Sequence, residues 1–206
     1  NTSKFTVIRD YNELGRIELQ SPGVHNVQNA LAAIAVGLEL GIPFEKIKAG
    51  IAKFTGVYRR WEKKGEENSI SVYDDYAHHP TECRATLSGI KSGWRRRVVC
   101  VFQPHLYSRT RDFYEEFGKS FMLSDVLVVT DVYPAREEAI QGVTGELIAN
   151  AAKQFGHKEV HYVVDKKNVP DFLMKIVKRG DIVVTMGAGD IYKFGVEFLS
   201  KLKTKN

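Results

Sequence analysis

The chain has 206 residues, of which 43% are hydrophobic and 27% charged, so it is long enough for one large or two small globular domains. No apolar run approaches the roughly 20 residues that a membrane-spanning helix needs, so membrane insertion is not expected. The net charge of +5 could indicate nucleic-acid binding, but no aromatic residues are interleaved with a basic stripe, and we therefore expect anionic small molecules and no nucleic acid.

The first part of the chain is expected to contain two short strands followed by two helices. The strands surround a polar turn, and the helices follow from apolar residues at helical spacing, with a Gly-Ile-Pro stop between them. The chain opens at Asn1 directly on a strand-like segment, so we expect it to enter a longer protein partway, with residues 1–56 as an incomplete domain. In order, these predicted elements cover residues 4–9, 15–20, 25–41 and 43–54.

After Gly56 the pattern changes to a regular alternation of strands and helices. The strands are short, continuous and rich in valine, which is typical of parallel strands covered on both faces. Residues 57–206 are therefore predicted to form one doubly wound, mostly parallel, Rossmann-like α/β domain. The predicted strands cover 69–76, 96–104, 125–134, 160–165 and 181–190, and the predicted helices cover 80–92, 108–123, 142–155, 167–179 and 191–203.

The only two cysteines, Cys83 and Cys100, lie in apolar segments of this second part. Their placement predicts neither a disulfide framework nor a zinc site. A reducing, cytoplasmic environment fits this usage best.

The predicted strands end in polar sequences. In chain order these are DDYAHHPTE, FQPHLYSRTR, DVYPAREE and GAGDI. Because ligands of open α/β sheets bind outside the carboxyl ends of the strands, these four segments are expected to line one cleft.

Several residues of these segments also have ordinary structural interpretations. Asp74 or Asp75 could be a helix cap or turn former, although two in a row favour a functional role. His78 and His79 point in different directions because they are neighbours, so at most one is expected to face the cleft. Adjacent histidines rarely bind one metal together, so no metal ligand is predicted within the chain.

Two further pairs of residues carry similar alternatives. Arg109 and Arg111 could be solvated residues at the start of a helix, but basic charge there opposes the helix dipole, and an anionic ligand would relieve the conflict. Asn26 and Asn29 could be helix caps, and since one cap is enough, the other would be available for a ligand. The GAGD sequence could be a tight strand exit.

The motifs HNVQNALAA, FTGVYRRWE, YDDYAHHPTE, VFQPHLYSRTR, DVYPAREE and MGAGDI follow one another in this order. Together they resemble the Mur ligases, in particular the branch that adds L-alanine, over nearly the whole chain from about Gly23 onward. These are ATP-dependent ligases of peptidoglycan synthesis with a UDP-binding N-terminal domain, a central P-loop-type ATPase domain and a C-terminal Rossmann-like domain. The resemblance implies that residues 1–56 are the tail of the ATPase domain and that 57–206 are the C-terminal domain.

The resemblance also implies a reaction and its participants. ATP would phosphorylate the carboxylate of UDP-N-acetylmuramate, and the amine of L-alanine would attack the resulting acyl phosphate. The chain has no phosphate-binding loop, and the Mg²⁺ ligands of the family would lie upstream of it, as would the missing N-terminal and ATPase domains. We therefore expect this chain alone to be inactive.

By the same resemblance, the nucleotide would be bound by residues from both parts of the chain. His25, Asn26 and Asn29 would approach the adenine, to which an amide offers both a donor and an acceptor. Arg60 would reach the ATP phosphates, and Asp75 would hold the ribose hydroxyls.

The amino-acid side of the cleft would be formed by Tyr76, His78 and Arg109, with Arg60, His78 and Arg109 as the expected catalytic residues. A guanidinium can hold the carboxylate of L-alanine in a two-point fork. Leu106 replaces an arginine that many relatives carry, so Arg111 or His105 is expected to contribute to carboxylate binding instead.

Two alternatives to an L-alanine ligase remain open at the level of the sequence. A related ligase that attaches a recycled tripeptide shares the DDYAHHPT corner but usually lacks the FQPH and SRTR sequences. A non-catalytic nucleotide-binding α/β module is also compatible with the strand-end residues.

Overall fold

A computed structural model describes residues 2–20, 23–54 and 56–204, and Asn1 lies outside the described residues. The chain divides into two compact units. The first comprises Asn1–Val57 and Ser88–Trp94, and the second comprises Tyr58–Leu87 and Arg95–Asn206.

The first unit contains an antiparallel hairpin and two helices, as predicted. Val7, Ile17 and Ile34 form its small buried core. The elements are β1 (Ser3–Arg9), β2 (Asn12–Leu19), α1 (Val24–Glu39) and α2 (Phe44–Lys53).

The start of helix α1 contradicts the interpretation of Asn26 or Asn29 as its cap. Its N-cap residue is Gly23, which has a φ of 104° and provides no side-chain hydrogen bond. Asn26 and Asn29 therefore lie inside the first two turns, and the interpretation of either as a cap is wrong.

The second unit is a doubly wound α/β sheet, which confirms the predicted fold. The strand order is β3-β4-β8-β5-β6-β7, with β3 antiparallel and the other strands parallel. Its strands are β3 (Glu62–Glu67), β4 (Ile70–Asp75), β5 (Val98–Phe102), β6 (Val126–Thr130), β7 (Val160–Val163) and β8 (Ile182–Met186). The helices are α3 (Pro80–Gly93), which extends into the first unit, α4 (Tyr107–Ser120), α5 (Glu146–Gln154), α6 (Val169–Ile176) and α7 (Ile191–Thr204).

The order of the strands separates the helices into two layers. Helices α4 and α5 pack against each other, and so do α6 and α7. The chain moves outward from β5 to β7 and then returns to place β8 between β4 and β5. Right-handed crossovers then put the two helix pairs on opposite faces of the sheet, as the valine-rich strands predict. The buried valines of the central strands include Val72, Val99, Val101, Val128 and Val183.

Strand β3 was missed by the sequence analysis. Its sequence, EKKGEE, has no apolar residue, so the pattern that identifies a buried strand is absent. It forms on the edge of the sheet, where it pairs with β4 and has an irregular register between Lys63 and Gly65. Charged residues are typical of such an edge, where they discourage pairing with another chain.

Three predicted helices have other bounds, of which the one predicted over 108–123 ends at Ser120. The helix predicted over 142–155 begins only at Glu146, directly after Gly145, where a Cβ would lie 1.9 Å from the carbonyl oxygen of Thr130. The helix predicted over 167–179 is a 3₁₀ turn followed by α6. It ends early, with an extended Val177 after Ile176.

A buried histidine near the amino-terminal ends of β6 and β7 gives a testable pH dependence. His157 is only 7% exposed; its Nδ1 accepts the N–H of Glu159 at 3.3 Å, and its Nε2 contacts the Ser124 hydroxyl at 3.0 Å. Burial lowers the pKa of His157, and the negative charges of Asp125 and Glu159 partly offset this shift.

Because the folded state holds His157 neutral, the unfolded chain binds the extra proton more readily. The stability that His157 contributes is therefore fully present above its unfolded pKa of about 6.5 and falls as the pH drops through that value. We expect the Tm to fall between about pH 7.5 and about pH 5.5 by more in the wild type than in His157→Gln. Equal falls in the two proteins would contradict this assignment.

Candidate functional site

The polar ends of four strands meet at one edge of the second unit. Met186 at the end of β8 is paired with Asp75 of β4 on one side and with Phe102 of β5 on the other. Beyond β5 and β6, His105 and Tyr133 form a further parallel bridge. The four segments that the sequence predicted to line one cleft are therefore brought to the same edge.

A buried ion pair that the sequence analysis missed lies beneath this edge. Arg59 is 6% exposed, and its Nε donates to Oδ2 of Asp74 at 2.7 Å. Its two other guanidinium nitrogens donate to the carbonyl oxygens of Gly187 and Gly189. Asp74 is fully buried and also accepts the hydroxyl of Thr185 at 2.7 Å. The hydrogen bonds of Arg59 and Asp74 thus join the end of β4 to the end of β8.

Asp75 is bound to the chain itself on both of its oxygens. Oδ2 accepts the N–H of Trp61 at 2.9 Å, and Oδ1 accepts the N–H of Ala77 at 2.8 Å. Burial raises the pKa of Asp75, although these two hydrogen bonds act in the opposite direction. The two neighbouring carboxylates therefore hold the segment 59–61 from both sides.

The consecutive arginines of this segment have different environments. Arg59 is buried, whereas 47% of the Arg60 side chain is exposed and its Nη1 lies 3.5 Å from Oε1 of Glu82. Both guanidinium groups face the ring of Tyr76, at 4.9 Å for Arg59 and 5.7 Å for Arg60. Of the two, Arg60 is the one that can reach a ligand.

The two adjacent histidines diverge, as expected for neighbouring residues. The ring of His78 lies edge-on to Tyr76 and to His105, with ring centroids 5.2 and 6.0 Å apart. The ring of His79 packs instead against Phe113 at 5.4 Å. His78 is therefore the histidine that faces the other candidate residues.

His78, His105 and Arg109 form a cluster between the ends of β4, β5 and β6. Nη1 of Arg109 donates to the carbonyl oxygen of His78 at 3.4 Å, and the ring of His105 stacks on Tyr133 at 5.7 Å. Burial is the main cause that lowers the pKa of His105, and the electrostatic interactions with His78 and Arg109 lower it further. His105 is thus held in the neutral form beside an arginine.

Arg111 does not join this cluster. Its Nε donates to the adjacent Asp112 at 2.7 Å, and 56% of its side chain is exposed. Of the two residues suggested to stand in for the arginine replaced by Leu106, the geometry favours His105.

The start of α4 is already occupied by a carboxylate from the same chain. Glu137 accepts both the N–H and the hydroxyl of Ser108. Glu137 therefore already meets the Ser108 end of this helix turn, and the expectation that a ligand anion would relieve the unfavourable charge of Arg109 stays a prediction.

The GAGD sequence forms a tight strand exit. Gly189 lies so close to Gln103 and Tyr133 that a Cβ would be 2.3 Å from Oε1 of Gln103. That same Oε1 accepts the N–H of Ile191, and Asp190 is paired with Lys166 at 2.6 Å. Close approach of the backbone accounts for these glycines.

The remaining candidates, His25, Asn26 and Asn29, lie on α1 of the first unit. Asn29 is three residues from Asn26 and four from His25, so the three share one side of the helix. His25 and Asn26 are half-buried and Asn29 is exposed.

Neither a metal cluster nor a membrane helix is found within residues 2–20, 23–54 and 56–204. No group of three or more His, Cys, Asp or Glu residues there is placed to hold a metal ion. None of the helices in these ranges has the length and apolar character needed to cross a bilayer.

Comparison with known proteins identifies similar chains. The family described as "Mur ligase, glutamate ligase domain" matches residues 59–189. The UDP-N-acetylmuramate–L-alanine ligase of Salinibacter ruber is 54% identical over 203 residues, which are 98% of this chain and 43% of that protein. The corresponding ligase of Geotalea uraniireducens is 54% identical over 190 residues, 92% of this chain and 42% of that protein.

Solved structures give the same result. The UDP-N-acetylmuramate-alanine ligase of Thermotoga maritima has a TM-score of 0.83 at 29% identity and covers 100% of this chain and 44% of its own. A murein peptide ligase from Psychrobacter arcticus has a TM-score of 0.67 at 28% identity, over 97% of this chain and 42% of its own. The chain thus spans less than half the length of these relatives.

Proposed function

Because the chain belongs to the Mur ligase family, we propose that it is part of an ATP-dependent ligase that joins L-alanine to UDP-N-acetylmuramate. The observation that carries the proposal is 54% identity to an L-alanine ligase over 98% of the chain. The structural similarity favours the same choice, since the TM-score is 0.83 for an alanine ligase and 0.67 for a murein peptide ligase. The tripeptide-recycling and non-catalytic alternatives are less well supported.

We further propose that residues 1–56 are the tail of the central ATPase domain and that 57–206 are the C-terminal domain. Helix α1 supports this assignment, because apolar residues lie exposed on it in addition to those that it buries. Leu31 and Val36 are 39% and 60% exposed, while Ile34 is 1% exposed. A helix that is apolar on most sides is typical of the interior of a larger domain.

Some of the candidate residues of this chain suit the binding of a nucleotide. Arg60 offers an exposed guanidinium, which suits phosphate oxygens. Asp75 is 4% exposed and engaged with the backbone, so its main contribution is to hold the segment that carries Arg60, and a ribose contact would be additional. His25, Asn26 and Asn29 are proposed to approach the adenine.

ATP supplies the phosphoryl group that activates the muramoyl carboxylate, and we propose that the Mg²⁺ ligands belong to the rest of the whole protein. The residues of this chain then act chiefly by positioning. Arg109 would hold the carboxylate of L-alanine, with His78 and Tyr76 beside it. Neutral His105 would add no positive charge against the ammonium group of the incoming amino acid.

Replacing Arg109 with lysine in the full-length ligase tests this assignment. Lysine keeps the charge but loses the planar fork, so the carboxylate of L-alanine is held less well. We expect the KM for L-alanine to rise roughly tenfold, as expected for the loss of about 1.4 kcal/mol of binding, with the KM for ATP little changed.

Arg111→Lys is the matched control, because Arg111 lies two residues away and points to Asp112. It should leave both KM values unchanged. A rise in the KM for ATP alone in Arg109→Lys would move Arg109 to the nucleotide side of the site. Ligation of a tripeptide in preference to L-alanine by the wild type would overturn the proposed function itself.

A further inference from the structure

Helix α4 begins without a cap of its own. Its N-cap residue is Leu106, which has a φ of 74°, a backbone conformation that side chains rarely adopt, and makes no side-chain hydrogen bond. The first turn contains no acidic residue, and it carries Arg109, whose charge opposes the helix dipole. The start of α4 therefore depends on groups from elsewhere in the chain.

Glu137 supplies the missing cap from the loop between β6 and α5. Its Oε2 accepts the N–H of Ser108 at 2.9 Å, and its Oε1 accepts the hydroxyl of the same residue. These hydrogen bonds hold the pKa of Glu137 below its usual range, and the one from the Ser108 hydroxyl has the larger effect. The carboxylate is therefore charged at neutral pH. A negative charge thus faces the positive end of α4.

The loop that carries Glu137 is itself fixed to the start of α4. The N–H of Tyr133 donates to the carbonyl oxygen of Pro104 at 2.8 Å, and the N–H of Leu106 donates to that of Tyr133 at 3.0 Å. A turn closed by the N–H of Glu137 on the carbonyl oxygen of Pro134 then brings the carboxylate back toward the helix. The two loops are therefore joined at residues 104–106 and again at Ser108.

We propose that Glu137 is a positioning residue for the amino-acid side of the site, where it fixes the first turn of α4 through Ser108 and so sets the direction of the Arg109 guanidinium. This inference rests on the proposed function, in which Arg109 holds the carboxylate of L-alanine. Arg109 follows Ser108 directly, so a small rotation of this turn becomes a large displacement at the end of a long side chain.

The presence of Glu137 also determines which group receives the substrate. Because its carboxylate already occupies the Ser108 N–H, an incoming carboxylate does not compete for this part of the helix end. Of the two arginines Arg109 and Arg111, Arg109 is then the one left for it, since Arg111 is paired with Asp112.

The test is Glu137→Ala in the full-length ligase, with Glu138→Ala as the matched control. Glu138 is the adjacent glutamate in the same loop and is exposed. Since loss of positioning can cost up to about a hundredfold, we expect the KM for L-alanine to rise about tenfold or more in Glu137→Ala, and the KM for ATP to change by less than about twofold. Glu138→Ala should match the wild type in both.

A second comparison tests whether Glu137 acts through Ser108. Ser108→Ala should raise the KM for L-alanine in the same direction, and the double variant should show less than the sum of the two effects, because both changes remove one interaction. If Glu137→Ala does not fold, Glu137→Gln carries the same comparison, since it keeps the shape and loses the charge.

The outcomes separate this inference from the proposed function. Ligation of L-alanine by the wild type tests the function alone. Where that activity is present, equal changes in both KM values, no change in either, or additive effects of the Glu137 and Ser108 variants would overturn the positioning role.

Discussion

Asp74→Ala is expected to lower the free energy of unfolding by about 3–5 kcal/mol. The substitution leaves the guanidinium of the buried Arg59 with its Nε unpaired. It also removes the acceptor of the Thr185 hydroxyl. Urea unfolding followed by circular dichroism measures the loss.

Two further variants show whether the buried charge is the cause. Asp171→Ala removes a carboxylate that pairs with Lys201 on the surface, and it should have a much smaller effect. A double variant, Arg59→Met with Asp74→Leu, should recover part of the stability, because no charge is then left unpaired in the interior. If Asp74→Ala costs no more than Asp171→Ala, the pair contributes little.

Asp75→Asn in the full-length ligase is expected to reduce kcat about a hundredfold, a loss typical of a small misplacement of reacting groups. Asp75 accepts the N–H groups of Trp61 and Ala77, one on each oxygen. Asparagine would present its NH₂ group to one of these N–H groups, and that hydrogen bond would be lost. The segment 59–61 then loses one of its anchors, and Arg60, which we propose reaches the phosphates, lies in the middle of it. Steady-state ligation assays at saturating substrates measure the change.

Asp74→Asn provides the comparison for this result. Asp74 contacts Arg59 and Thr185, so its replacement should affect the Tm more than kcat. Equal reductions in kcat for the two variants, together with an unchanged Tm, would show that the two carboxylates do not have separate roles.

The fold was largely predictable from the sequence because burial on both faces leaves a direct signal. The strands around Val72, Val99 and Val128 are continuous apolar segments between polar turns, and they appear where predicted. Strand β3 could not be recognised in this way, since EKKGEE forms a strand only by pairing with β4 at the sheet edge. Its formation depends on the tertiary structure rather than on its own composition.

The candidate site was predictable only at the level of segments. Their position at strand ends follows from the topology, so His78, His105 and Arg109 could be expected near one another. The positive φ of Arg59, Trp61 and Leu106 leaves no trace in residue type, because none of the three is glycine.

Two important side chains were missed for the same kind of reason. Arg59 lies in the turn before β3 and is buried, and RRWE alone does not show which arginine points inward. Glu137 caps a helix that starts 30 residues earlier in the sequence, whereas the sequence signals for capping are local. A pattern of neighbours cannot reveal a cap supplied from another loop.

The position of β8 has a consequence for the biosynthesis of this unit. The last strand in the chain lies between β4 and β5, which do not pair with each other, so the sheet stays in two separate parts until residues 182–186 have been made. A chain that emerges from the ribosome from its N-terminus therefore carries exposed strand edges on β4 and β5 until β8 has been made. The site can assemble only once translation has passed Met186, and we expect ribosome-bound chains that stop before β8 to be readily cleaved by proteases.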